Sequence, residues 1–195
     1  MHRSHRISVV LATILCIPVA SSLGAAPAKK PLRGPDCVYV PTPYDVVEKM
    51  LEMAKVKKTD VVYDLGCGDG RIVVEAAKKA GCKAVGVEIE PNRVREALAN
   101  VKKNNVQHLV EIRQEDMFTV DLSQTTVLCL YILPSMMVKL RPQLDKLPAG
   151  ARIVAHDYPI TTAQEDKRVT IISNETNEKH VLYLYTVPLK PKTEE

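Results

Sequence analysis

The sequence predicts a single three-layer α/β domain. Its core is a doubly wound, mostly parallel seven-stranded sheet that ends in a C-terminal antiparallel hairpin. Three observations carry this. Val61–Gly70, VVYDLGCGDG, runs from an apolar β-branched segment into a glycine-rich turn, and helical periodicity starts at Ile72. Apolar strand-like runs then alternate with helix-like runs as far as residue 155, the pattern of βαβ units with right-handed crossovers. Finally, Arg168–Ser173 and His180–Val187 flank the turn-forming NETNE and read as a hairpin.

The chain has 195 residues, enough for one such domain with a proper core and too few for two. Hydrophobic and charged contents of 46% and 26% are ordinary globular values. The net charge of +4 falls to +2 without Arg3 and Arg6, and the chain has one Phe and no Trp. No basic block or stacking platform points to nucleic acid, so none is expected as a partner.

Residues 1–28 stand apart. MHRSHR is basic, Ile7–Ala20 is almost wholly apolar, and SSLGAAPA offers small residues for cleavage, so the segment reads as a signal peptide or a membrane anchor. The apolar run is short for a span, and membrane association through residues 7–20 is the anchor alternative. Residues 29–41 form a Pro-rich extended lead-in, and 42–190 form the domain.

Within the domain, Thr42 is placed as N-cap and Pro43 at N1, with Asp45 at N3, and Val46, Val47, Met50, Leu51 and Ala54 follow at helical spacing. Val61–Tyr63 is the first strand. Ile72–Ala80 is the next helix, capped by Gly81. Lys83–Glu90 is the second strand, and Pro91 opens a helix carrying Val94, Ala97, Leu98 and Val101. Val106–Arg113 is the third strand. Thr125–Leu133 is the most hydrophobic run after the leader and so the buried fourth strand, stopped by Pro134. Ser135–Leu147 is helical but interrupted by Pro142, which predicts a kink or two short helices. Ala151–Ala155 is the fifth strand.

The turn itself constrains a ligand. Glycines 66, 68 and 70 allow close approach of the backbone. Their spacing is G-x-G-x-G, not the G-x-G-x-x-G that aims amides at a pyrophosphate. Asp64 and Asp69 put two carboxylates where a phosphate would come, which suits a ligand with a cationic end. Glu88 lies near the C-terminal end of the second strand, eighteen residues beyond Gly70, positioned for two ribose hydroxyls. A nicotinamide-dependent oxidoreductase is disfavoured on the same spacing.

The DLGCGDG turn resembles the first motif of class I S-adenosylmethionine (SAM)-dependent methyltransferases, whose cofactor carries an ammonium and a sulfonium and no phosphate. The resemblance covers roughly residues 39–187. It implies SAM as cofactor, with Asp64, Gly66, Cys67, Gly68, Gly70 and Glu88 around it. In QEDMF it implies Asp116 on the adenine amino group and Met117 against the ring. YVPTPYDVVEKM resembles a subgroup in which such a segment covers the methionine end, which adds Tyr39 and Thr42. Tyr131-Ile132-Leu133-Pro134 departs from the [DNS]-P-P-[YFW] of many amino-methyltransferases, which argues against nucleic-acid and glutamine N-methylation. The run from Tyr131 to Tyr158 resembles a protein-lysine methyltransferase group that includes enzymes acting on the c-ring protein of mitochondrial ATP synthase. The expected activity is methyl transfer to an unidentified acceptor, a protein lysine or a small molecule. The alternative is a non-catalytic module that binds SAM or a similar adenosyl ligand.

Tyr131, His156 and Asp157, at strand ends, are the candidate catalytic residues. Strand alternation predicts that His156 and Asp157 point to opposite faces. No cysteine pair has metal-ligand spacing; Cys67, Cys82 and Cys129 read as buried free thiols, and no metal site is predicted. Export is in tension with the cytoplasmic supply of SAM, which leaves the localisation open at this level.

Overall fold

The computed structural model describes residues 32–192. The expected leader, 1–28, and the start of the lead-in lie outside the described residues. Residues 32–192 belong to one compact unit. Among the described residues no helix is long and apolar enough to cross a membrane.

The elements run α1 (Tyr44–Met53), β1 (Val61–Leu65), α2 (Arg71–Ala80), β2 (Lys83–Glu88), α3 (Pro91–Lys103), β3 (Val110–Gln114), β4 (Val127–Leu130), α4 (Pro134–Leu144), β5 (Arg152–His156), β6 (Lys167–Ile172) and β7 (Lys179–Thr186). The strands form one sheet in the order β3-β2-β1-β4-β5-β7-β6. Pairings among β1 to β5 are parallel, whereas β7 is antiparallel to both β5 and β6. The chain leaves β1 towards one edge and returns at β4 on the other side, so a crevice opens beyond the carboxyl ends of β1 and β4.

Period-two alternation sorts the core into two layers. Tyr63, Leu65, Leu128, Leu130, Ile153 and Ala155 face α4 residues such as Met137 and Leu140. Val62, Val127, Cys129 and Val154 face α1 and α2. Burial on both faces explains why β4 reads as an unbroken apolar run: all four of its residues are fully buried. β7 is covered on both sides too. Its alternation puts Tyr183 and Tyr185 in one layer and Leu182 in the other.

Several elements differ from expectation. Thr42 does not cap α1; the helix starts at Tyr44 after Pro43, with no side-chain cap, because the Thr42 hydroxyl turns inward to His156. β3 starts at Val110, not Val106, since residues 106–109 form a turn closed by Leu109 N–H on the Val106 carbonyl. β4 ends at Leu130, and Pro134 opens α4 at its first position instead of merely stopping a strand. α4 is continuous through Pro142, which sits in its last turn, where the missing N–H removes one bond near a helix end. Leu98 is half exposed, leaving Ala97 and Val101 to pack α3.

The crevice-forming turn is built as the sequence requires. Gly66, Gly68 and Gly70 take φ of 80°, 54° and 75°, the left-handed region that side chains disfavour. The Gly66 and Cys67 amides both donate to the Val87 carbonyl at 2.8 and 3.0 Å, which fixes the turn against β2. α2 follows directly and ends at Gly81 in the left-handed conformation.

Candidate functional site

A cavity of about 570 Å³ lies over the carboxyl ends of β1, β2 and β4, a usual size for a small-molecule site. Its walls come from the glycine turn, the ends of β2 and β4, the start of α4, and the lead-in from Arg33 to Val40. Of the residues singled out in the sequence, Tyr39, Thr42, Asp64, Gly66, Cys67, Glu88, Met117 and Tyr131 border it. Gly68, Gly70, Asp116, His156 and Asp157 stand behind the wall.

Asp64, next to last in β1, is nearly buried, and its carboxyl makes no hydrogen bond with any described residue. Burial, together with the charges of Glu88 and Asp69, pushes its carboxyl up to about 8. An unpartnered carboxyl facing a cavity is a receptor for a cationic hydrogen-bond donor. Glu88 is fixed differently. Its Oε2 accepts from Gly68 N–H at 2.9 Å, and its Oε1 accepts from the Ile89 and Glu90 amides at 2.8 and 3.0 Å. Three backbone donors orient this carboxylate at the end of β2 before any ligand arrives.

Asp69 does not serve as expected. Its carboxylate is taken by Arg71, with Nη2 at 2.7 Å and Nε at 3.0 and 3.2 Å, and it does not border the cavity. Arg71 also donates to the Thr42 carbonyl at 2.9 Å, so the pair clips the lead-in to the glycine turn. Asp116 is also diverted. Arg33 holds it bidentately, Nε–Oδ2 at 2.7 Å and Nη2–Oδ1 at 3.0 Å, while Phe118 N–H donates to Oδ1 at 3.0 Å. The Arg33 hydrogen bonds keep its carboxyl below the ordinary range despite partial burial. Its sequence neighbours Glu115 and Met117 border the cavity in its place.

Tyr39 lies directly over Gly68, with its hydroxyl buried and without a hydrogen-bond partner among the described residues. The Arg93 guanidinium sits 4.7 Å from the centre of its ring. Cys67 is buried in the turn, and burial raises its thiol well above the usual value, so it is an inert wall and not a nucleophile. Cys82 and Cys129 are likewise buried and free, and Cys37 is exposed.

At the other end of the cavity, Tyr131 follows β4, and its ring lies 4.0 Å from that of His156 and 6.2 Å from that of Tyr158. Partial burial raises the Tyr131 phenol above its ordinary value. His156 and Asp157 do not diverge as strand alternation predicts. Asp157 takes φ of 58°, which breaks the alternation and brings both side chains together with His180. His156 Nε2 lies 2.9 Å from His180 Nδ1 and 3.3 Å from Asp157 Oδ2; His180 Nδ1 lies 3.1 Å from Asp157 Oδ2. His156 is fully buried, and burial pushes it down to about 4, so its imidazole is neutral.

Sequence reading missed Arg33, Arg71, Arg93 and His180. Arg33 and Arg93 are far in the chain from Asp116 and Tyr39, and Arg71 is far from the Thr42 carbonyl although only two residues from Asp69. His180 reads as a hairpin residue until β7 is placed beside β5.

Comparisons with known proteins agree with this geometry. The model of the ANTKMT methyltransferase domain family matches residues 64–167. A protein from Saccharolobus islandicus named protein-lysine N-methyltransferase is 44% identical over 155 residues, covering 78% of this chain and 95% of its own length. A lysine N-methyltransferase of ATP synthase from Xenopus laevis is 32% identical, over 77% of this chain and 65% of its own length. Among solved structures, an RNA methyltransferase from Salinibacter ruber in complex with S-adenosyl-L-homocysteine is 44% identical. It aligns with a TM-score of 0.71, over 80% of this chain and 98% of that one. The chain belongs to the ANTKMT methyltransferase domain family and is a class I SAM-dependent methyltransferase, of the group that includes protein-lysine methyltransferases.

Proposed function

We propose that this enzyme transfers the methyl group of SAM to a lysine amine of a protein. The observation that carries the cofactor pose is the unpartnered Asp64 carboxyl facing the cavity beside the glycine turn. In this reading Asp64 receives the ammonium of the methionine end, under cover of Tyr39 and Thr42. Glu88 receives the ribose hydroxyls, and Met117 and Glu115 border the adenine. Asp116 acts from behind, holding the lead-in through Arg33. The lysine assignment rests on the names of the relatives from Saccharolobus islandicus and Xenopus laevis.

The chemistry asks little of strong bases. The amine lone pair attacks the methyl carbon, the N–C bond forms, the S–C bond breaks, and its electron pair returns to sulfur. Positive charge leaves the sulfonium and appears on nitrogen, so alignment in a dry pocket supplies most of the rate. A lysine ammonium must give its proton to solvent water before the neutral amine can attack. Of the three candidate catalytic residues only Tyr131 borders the cavity, and with a raised phenol it orients the amine by hydrogen bonding and does not act as a base. His156 supports that ring from behind, with Asp157 beside His156.

The likeness to the Salinibacter ruber RNA methyltransferase supports a second reading, an RNA acceptor. The test is transfer of a labelled methyl group from SAM to poly-L-lysine, to an unfolded lysine-rich protein and to bulk tRNA. Label on the lysine substrates alone is expected; label on tRNA alone would move the acceptor to RNA. We also read residues 1–28 as a leader, and the mass of the protein recovered from its native host tests whether they are removed.

A further inference from the structure

We propose that His156, Asp157 and His180 form a binding site for one divalent transition-metal ion of the zinc class, placed behind the acceptor end of the cavity. Their three facing atoms, His156 Nε2, His180 Nδ1 and Asp157 Oδ2, are 2.9, 3.1 and 3.3 Å apart in pairs. Hydrogen bonds cannot satisfy all three contacts. The two nitrogens can hold only one proton between them across 2.9 Å, and a single hydrogen cannot point well at two other atoms. A cation serves all three together. At about 2.1 Å from each donor it would stand roughly 1 Å out of their plane, with its remaining positions open to water.

The surroundings are those of ligating groups. His156 Nδ1 lies 3.2 Å from the Thr42 hydroxyl, which can accept its proton as an outer hydrogen bond when Nε2 is bare to ligate. The second oxygen of Asp157 accepts from Val181 N–H at 2.9 Å, which orients that carboxylate. The ligands come from the end of β5 and from β7, paired strands that hold their spacing. Asp157 joins them only through its left-handed backbone, a conformation uncommon for a residue with a side chain. With a quarter of its side chain exposed, Asp157 gives an ion a way in. Two imidazoles and one carboxylate suit zinc and its neighbours better than magnesium or calcium. No hydrogen-bond partner among the described residues satisfies His180 Nε2, which a bound ion at Nδ1 would leave as the protonated nitrogen. An ion here would tie β5 to β7 and steady the His156 ring on which Tyr131 rests.

The test uses the full chain without a histidine tag, stripped with a chelator and titrated with Zn²⁺ or Co²⁺. We expect about one ion per chain by elemental analysis, a melting temperature raised by several degrees, and visible Co²⁺ bands without a thiolate band. Asp157→Asn and His180→Gln, each checked for folding by circular dichroism, should weaken binding at least tenfold. If either variant fails to fold, the stoichiometry and melting shift of the wild type decide. A folded wild type that takes up no stoichiometric ion and melts unchanged would overturn the site. So would a thiolate band, which would put the ion on a cysteine, or unaltered binding in both folded variants.

Discussion

The ring of Tyr39 occupies the space where a side chain on Gly68 would begin: a Cβ there would overlap Tyr39 Cε2. The backbone offers no relief, because Gly68 has φ of 54° and its amide is bonded to Glu88. Gly68→Ala should therefore displace Tyr39 from the cavity wall and disturb the Glu88 carboxylate together. SAM affinity by calorimetric titration is expected to fall at least tenfold. Gly81→Ala, at a helix cap with nothing within 4 Å, should leave SAM affinity unchanged and cost about 1 kcal/mol of stability. Equal SAM affinity in Gly68→Ala and wild type would show that Tyr39 is not part of the cofactor site.

Asp64 makes cofactor binding pH-dependent. Its carboxyl is raised to about 8 in the free protein by burial and by the neighbouring Glu88 and Asp69 charges. An incoming ammonium favours the ionised form, so binding releases a proton, and SAM affinity should rise with pH up to about 8. Calorimetry in buffers of different ionisation enthalpy would read that proton directly. The sign for stability is opposite. Between about pH 4 and 8 the unfolded chain has lost this proton and the folded chain keeps it, so the ligand-free protein loses stability as pH rises. Asp64→Asn should flatten both dependences and weaken SAM by roughly tenfold to a hundredfold, the worth of one charged hydrogen bond.

Arg33 ties the lead-in to Asp116 across 83 residues of sequence. The ion pair is partly exposed, with a third of the arginine side chain open to solvent, so its direct worth is at most about 1 kcal/mol. Arg33→Ala should hardly move the melting temperature. It should still loosen the strap from Arg33 to Val40 and weaken SAM binding severalfold, with Asp116 returning towards an ordinary carboxylate. An NMR titration of the Asp116 carboxyl and a thermal melt of the same sample separate the two effects. A large drop in melting temperature with unchanged SAM binding would make Arg33 a structural clamp only.

What could be read in the sequence was what one residue type dictates locally. Three glycines in a turn, an apolar β-branched strand before it and a proline at a helix start each restrict their own backbone, and those elements appear where expected. The differences arise from contacts between distant segments. Thr42 gives up its cap for His156, 114 residues away. Asp116 is held by Arg33, 83 residues away, and only the pairing of Asp69 with Arg71, two residues on, is local. The convergence of His156, Asp157 and His180 depends on one left-handed residue and on β7 lying beside β5, and strand alternation alone argues against it.

Tyr131 separates a chemical role from a packing role at the acceptor end. Its ring rests on His156 at 4.0 Å, so Tyr131→Phe keeps the stacking and removes only the hydroxyl. If that hydroxyl orients the attacking amine, kcat should fall about tenfold, the worth of one hydrogen bond, while SAM affinity stays within twofold. His156→Gln removes the supporting ring, leaves the hydroxyl in place and disturbs the Thr42 contact, so it should raise the acceptor KM and lower kcat together. Because burial raises the Tyr131 phenol, the group remains protonated throughout the working range, and its removal should lower the pH–rate profile without shifting its limbs. A limb that shifts in Tyr131→Phe would instead make the phenol the group that takes the amine's proton. Unchanged kcat on poly-L-lysine in both variants would move the acceptor away from this wall of the cavity.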